Sequence, residues 1–156
     1  MSRRFYLLLG LLIAPFSTIT FRIANQHMKR PRVRVVVTNE NDEVLLLKDV
    51  IGNRQWTLPG GGINRNEEYV DAARRELMEE SGIDVPTTKL KHVDVISMAE
   101  TRLAFDAIVY SVKVQRSDLP KELYSPFEIA EIAWNSSDAL PEKTAKLVHG
   151  ALRRTR

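Results

Sequence analysis

The chain contains no cysteine. That absence excludes a disulfide scaffold, a cysteine nucleophile and any zinc or iron–sulfur centre held by thiolates, and it fits a reducing compartment. Acidic residues are missing from the first 34 positions, which carry seven basic side chains: Arg3, Arg4, Arg22, Lys29, Arg30, Arg32 and Arg34. Residues 35–156 hold 16 basic and 20 acidic side chains, so the net charge of +3 comes from this arm, helped by the tail Arg153-Arg154-Thr155-Arg156. A basic nucleic-acid-binding face on the folded part is therefore not expected.

Long apolar runs are scarce too. The one candidate lies between Arg4 and Arg22, where residues 5–21 are uncharged; these 17 residues are at the short limit for a membrane span, and Pro15, Ser17, Thr18 and Thr20 weaken it. As a signal peptide it lacks a good small-residue cleavage site, since Ile23-Ala24-Asn25 is a poor one. Three readings stay open: a helix packed on the domain or lying at a membrane interface, a single-span anchor, and a cleaved signal. If the segment spans, the larger positive cluster after Phe21 holds the rest in the cytoplasm. The expected location is cytoplasmic, with membrane association through residues 5–21. Repeats, low-complexity stretches and linkers are absent. With 156 residues, 44% hydrophobic and 28% charged, the expectation is one domain over 31–156 preceded by a hydrophobic, basic segment over 1–30.

Residues 32–38 alternate, with Val33, Val35 and Val37 on one face, and predict a strand. Asn39-Glu40-Asn41-Asp42 predicts a turn, and Val44 to Leu47 a strand buried on both sides, so the pair is expected to form a hairpin. Pro59-Gly60-Gly61-Gly62 reads as a flexible loop. Asn66 is placed to cap a helix that begins with Glu67 and Glu68, buries Val70, Ala73 and Leu77, and stops at Gly82. Strands are expected over 90–98, 103–114 and 129–134, and a last helix from Pro141 to Arg153. Together these make a mixed α/β domain.

On the first helix Glu76, Glu79 and Glu80 stand at i, i+3 and i+4, which puts three carboxylates on one face. Such a cluster repels itself unless cations occupy it. Hard oxygen ligands suit Mg²⁺ or Mn²⁺, and Mg²⁺ suits a phosphate substrate. Arg75, four residues before Glu79, is able to hold a carboxylate through its planar fork. The glycines at 60–62 let the backbone approach a ligand closely, and a carbonyl there is able to complete a metal shell.

From Gly61 to Ile83 the chain reads GGINRNEEYVDAARRELMEESGI, which resembles the Nudix box, G-x5-E-x7-R-E-U-x-E-E-x-G-U with U apolar. Gly61, Glu67, Arg75, Glu76, Leu77, Glu79, Glu80, Gly82 and Ile83 all fall in place, and Trp56-Thr57-Leu58-Pro59-Gly60 is similar to that family's lead-in. One departure is Asn66, where many members carry glycine; asparagine tolerates unusual backbone angles. The resemblance extends over about 32–153 and implies a Nudix-type α/β/α sandwich with a mixed β-sheet, here with an N-terminal hydrophobic helical extension. It implies a Mg²⁺- or Mn²⁺-dependent hydrolase cleaving a pyrophosphate bond in a nucleoside diphosphate linked to another moiety, with a nucleotide-type small molecule as partner. By position Glu79 and Glu80 would be the principal metal ligands with the Gly60 carbonyl; Glu76 would bind metal or act as base, oriented by Arg75. Glu128, six residues before Trp134, is similar to a carboxylate that MutT-like members bring from a mobile loop; Glu131 or Glu100 is the alternative. Glu67 is expected to steady the helix start.

Other readings compete. A catalytically silent nucleotide-binding or regulatory module on this fold is the main alternative, against which the intact Glu76, Glu79 and Glu80 stand. An isoprenoid diphosphate isomerase is excluded by the missing cysteine. At 97–100 the chain reads Ser-Met-Ala-Glu, without the proline or tyrosine that marks ADP-ribose or dinucleoside polyphosphate hydrolases, so a MutT-like nucleoside triphosphatase is left by elimination. Trp56, Tyr124, Phe127 and Trp134 are able to stack on a base, although core packing is the ordinary role of such residues. His27, His92 and His149 are scattered and expected to be structural or exposed.

Overall fold

Period-two alternation builds a six-stranded sheet, and two amphipathic helices cover its faces. This computed structural model describes residues 30–51, 54–98 and 105–155. The N-terminal segment, including 5–21 and His27, lies outside the described residues, as does Glu100. Among the described residues no helix is long and apolar enough to cross a membrane.

Strands β1 (Arg32–Thr38) and β2 (Glu43–Asp49) meet at the expected turn. Buried Asn39 holds it: its Oδ1 accepts from the Asn41 and Glu43 N–H groups at 2.9 and 3.1 Å, and its Nδ2 donates to Glu43 at 2.7 Å. Asp42 takes a left-handed conformation with φ 58. The strands are paired beside this turn, at Thr38 and Val44, and then part company. The expected hairpin opens because each strand has a different long partner. β1 runs parallel to β5 (Asp106–Lys113) from Arg32↔Ala107 to Thr38↔Lys113, and β4 (Lys91–Ser97) lies antiparallel beyond β5. β2 runs antiparallel to β6 (Ile129–Ser136), and its far end also pairs with β3 (Trp56–Thr57).

The edge of β1 left by this parting is filled by the glycine segment. Val33 donates to the Gly61 carbonyl at 3.0 Å, and Val35 to that of Pro59 at 2.9 Å. The segment expected as a flexible loop is thus laid along a strand and fixed by backbone hydrogen bonds.

Helix α1 (Tyr69–Ser81) ends as expected at Gly82, whose φ of 77 suits glycine and whose N–H bonds the Met78 carbonyl at 2.9 Å. Its start differs from the expectation. Asn66 sits in a turn with φ 62 and does not cap the helix; Glu68 holds the cap position, without a side-chain hydrogen bond. The Asn64 carbonyl accepts from the Glu67 N–H at 3.2 Å, which uses these residues for the turn. Helix α2 (Lys146–Thr155) begins five residues after Pro141. The preceding stretch turns and bridges to β3 and does not join the helix: Trp56 donates to the Lys143 carbonyl and Ala145 to that of Trp56, both at 2.8 Å.

Two cores result. Val33, Val35 and Val37 pack with Leu45, Leu77, Ile108 and Tyr110 under α1, while Val36, Val44, Leu46 and Val109 pack with Leu147, Val148 and Ala151 under α2. Val44 to Leu47 are buried on both sides of the sheet, as their continuous apolar run predicts. An α/β/α sandwich follows.

Asn39→Ala removes the side-chain acceptor of the Asn41 and Glu43 N–H groups at a buried turn. Chemical denaturation is expected to register a loss of about 1–3 kcal/mol with an unchanged circular dichroism spectrum. A change within 0.3 kcal/mol, on the order of a neutral surface substitution, would show that the turn does not depend on this side chain.

Candidate functional site

The glycine segment and α1 face each other, and their contact is too close for side chains. A Cβ on Gly60, whose φ is 134, would collide with the Val33 carbonyl. A Cβ on Gly61 would lie 2.5 Å from a Glu76 carboxylate oxygen. The Gly60 N–H donates to the half-buried Glu80 carboxylate at 2.7 Å. The strand-bound backbone therefore forms one wall of a cleft and the acidic face of α1 the other.

Arg75 organises that wall. Its Nε and Nη2 grip Glu67 as a fork, at 2.8 and 3.0 Å. Its Nη1 donates to Glu76 at 2.8 Å and Glu79 at 3.0 Å, and Nη2 also reaches the Gly62 carbonyl at 2.9 Å. One guanidinium thus binds three carboxylates and the glycine segment, and these hydrogen bonds, that to Glu67 foremost, raise its pKa. Glu67 in turn accepts from the Asn64 N–H at 2.7 Å, which fits the expected role in steadying the helix start.

The remaining acids stand in a medium that disfavours their charge. Burial, against the Gly60 hydrogen bond and Arg34, pushes the Glu80 carboxyl up to about 8. Burial also raises Glu76, opposed by Arg75, and Asp49, opposed by Arg34 and Arg32. Arg34 carries a buried Nε with no hydrogen-bond partner among the described residues. Neither Arg34 nor Asp49 emerged from the sequence. Their signal was the position of Arg34 amid the valines of β1, where a charged residue is costly, and that of Asp49 at the end of an apolar strand.

Glu128 lies across the mouth. It lines a cavity of about 510 Å³ together with Glu79, Tyr124, Ser125 and Phe127, accepts from Ser125 Oγ at 3.3 Å, and adds to the rise at Asp49. Glu131 is drawn elsewhere, to Lys48 at 3.3 Å. Of the four aromatics, Trp56 and Trp134 pack beside the two cores, but Tyr124 and Phe127 are 54% and 58% exposed, so core packing is not their role. His92 meets Tyr110 edge-on at 5.6 Å.

Whether these residues suit a divalent cation is a matter of donor chemistry. The cleft offers hard oxygen donors from Glu76, Glu79, Glu80, Asp49 and Glu128, a wall from which Cβ atoms are excluded, and carboxyls of Glu76 and Glu80 raised by burial; the set fits Mg²⁺ or Mn²⁺. Among the described residues no three acidic or histidine side chains stand in metal-ligand geometry. Glu76 and Glu79 are instead paired with Arg75.

Residues 28–154 match the NUDIX domain, and the chain belongs to that family. It is 34% identical over 84 residues to the RNA pyrophosphohydrolase of Ruthia magnifica subsp. Calyptogena magnifica, a match that covers 54% of this chain and 44% of the relative. The matched stretch spans less than half the length of such curated relatives. Among solved structures, a MutT NUDIX hydrolase from Burkholderia pseudomallei superposes with a TM-score of 0.67 at 24% identity, over 81% of this chain and 99% of that one. The NUDIX domain of Shewanella oneidensis NrtR, crystallised with ADP ribose, superposes with a TM-score of 0.63 at 17% identity, over 83% and 90%. At these identities the likeness is one of fold.

The raised carboxyls set a sign for pH dependence. A folded-state pKa of about 8 for Glu80, above its ordinary 4.5, stabilises the protonated native state, and that stabilisation is lost as pH rises. In chelator-treated protein the unfolding free energy is expected to fall from about pH 5 to pH 8, and Glu80→Gln to flatten the slope. A stability that rises over this interval in denaturant titrations would contradict the assigned environment.

Proposed function

We propose that this chain is a pyrophosphohydrolase cleaving a pyrophosphate bond in a nucleoside diphosphate linked to another moiety, a nucleoside triphosphate being the first candidate. The observation that carries the reading is the acidic face of α1 held against the Gly60–Gly62 backbone by Arg75 and the Gly60 N–H. Family membership supports it, and so do relatives named RNA pyrophosphohydrolases.

In this reading Glu79 and Glu80, with the Gly60 carbonyl, hold Mg²⁺ or Mn²⁺, and Glu76 borders it. The cation's chemistry when bound is to neutralise charge on the pyrophosphate oxygens. Arg34, whose charge lowers the pKa values of Glu80, Glu76 and Asp49 against their burial, is the cation available to the phosphate groups. Arg75 fixes Glu76. A water oxygen forms the new bond to phosphorus as the bridging P–O bond breaks. The water proton passes to Glu76 or Glu128; burial gives Glu76 a raised pKa, which makes it a better proton acceptor near neutral pH.

The test is a panel of nucleoside triphosphates, nucleotide sugars and 5′-triphosphorylated RNA assayed with Mg²⁺ or Mn²⁺. Glu80→Gln is expected to lower turnover by on the order of 10²-fold or more in a folded protein. Glu128→Gln is expected to cost roughly 10- to 10⁴-fold, and Glu131→Gln little, since Glu131 pairs with Lys48. Near-wild-type turnover in Glu80→Gln would remove the proposed site. The reverse ranking of the two loop variants would move the loop role to Glu131. Binding without turnover of any panel member would favour the silent nucleotide-binding module.

A further inference from the structure

Tyr124 and Phe127 are two of the few large apolar side chains that the fold leaves more than half exposed, and they sit together on the wall of the cavity that Glu79 and Glu128 also line. A lone exposed aromatic needs no explanation, but two on one cavity wall beside a cleft do. The segment bearing them is seated. A Cβ on Gly82 would stand 2.8 Å from Pro120 Cγ and 2.9 Å from Tyr124 Cδ2, so Pro120 and the Tyr124 ring rest on the bare backbone where α1 ends. Further along, the Val50 N–H donates to the Glu128 carbonyl at 2.7 Å, and Ile129 donates to Ser125 at 2.8 Å. The loop is thereby tied to both α1 and the end of β2, with one ring supported from below and open above. Gly82 stands three residues beyond Glu79, about one helical turn along the same helix.

We infer that Tyr124 and Phe127 form a nucleobase-binding subsite, on which the base of the substrate stacks while its phosphates enter the cleft at Glu76 and Glu80. This rests on the pyrophosphohydrolase reading and adds to it the residues that select a nucleotide over a bare polyphosphate. Every base has a π-face, so stacking on aromatic side chains is tolerant of sequence, and it is the mode by which single-stranded ends and free nucleotides are held. The cavity walls carry Glu79 and Glu128 but no cation, so they favour a neutral ring over a phosphate. The base is supplied by a free nucleoside triphosphate or by the first nucleotides of a 5′-triphosphorylated RNA, and the two sources share this chemistry.

The test compares Tyr124→Ala, Phe127→Ala and the conservative Tyr124→Phe with the full wild-type chain. Substrates are a nucleoside triphosphate, a short 5′-triphosphorylated RNA and inorganic tripolyphosphate, which has no base. The alanine variants are expected to raise KM for the first two by about 5- to 100-fold and to leave tripolyphosphate kinetics unchanged, and Tyr124→Phe to restore KM. A larger effect on the RNA than on the nucleotide identifies the RNA end as the source, and an equal effect identifies the free nucleotide. Equal effects on tripolyphosphate, or none on the two base-containing substrates, would overturn the subsite. Calorimetric binding of the same nucleotide and tripolyphosphate runs in parallel. If wild type turns over none of the three, the hydrolase reading fails, and the variants' Kd for nucleotide against tripolyphosphate still decides the subsite.

Discussion

The guanidinium of Arg75 is the interaction on which the candidate site depends. It binds Glu67 as a fork, Glu76 and Glu79 through one nitrogen, and the Gly62 carbonyl through another. The three carboxylates it binds would otherwise repel one another, and two of them are largely buried, with side-chain exposures of 15% for Glu67 and 14% for Glu76. A planar, permanently charged fork with five donors does what a lysine's point charge does less well, which is to fix several acceptors in one geometry. The helix and the glycine segment are joined through it, and Glu80 is left to the Gly60 N–H opposite.

That junction is available because β1 and β2 separate. A simple hairpin would occupy the edge of β1 with β2; here β1 leans on β5 and β2 on β6, and the opened edge receives Pro59–Gly62 as backbone. The wedge places a carbonyl-lined strand edge against the acidic helix face, with Arg34 and Asp49 entering from the diverging strands. A mixed sheet covered on both faces supplies the rigidity that such a cleft needs.

Much of this was legible in the sequence where local spacing decides the outcome. The i, i+3, i+4 placement of Glu76, Glu79 and Glu80, the stop at Gly82, the Asn39 turn and the four-residue apolar run of β2 need only helix and strand periods. The positive φ of Asn66 also agrees with its place where relatives of the motif carry glycine. What was not legible came from contacts distant in sequence. Pro141 suits a helix start, yet pairing of 143–145 with Trp56 delays the helix. Asn66 has a capping side chain, yet the turn at 64–67 uses that residue otherwise. Arg34 and Asp49 belong to different strands, and only the parting of those strands brings their charges to Glu80. Tyr124 and Phe127 carry no sequence mark that separates them from core aromatics; their exposure beside Glu79 and Glu128 does.

If, as proposed, the cleft between Gly60–Gly62 and α1 holds a divalent cation, the cation competes with a proton for the buried Glu80 carboxyl. Calorimetric titration of Mn²⁺ into the chelator-stripped full chain at pH 7, in two buffers of different ionisation enthalpy, tests it most directly. Because burial pushes the Glu80 carboxyl up to about 8, binding is expected to release protons, and Glu80→Gln is expected to weaken binding and abolish the release. Mn²⁺ binding without proton release, or no difference between Glu80→Gln and wild type, would contradict it.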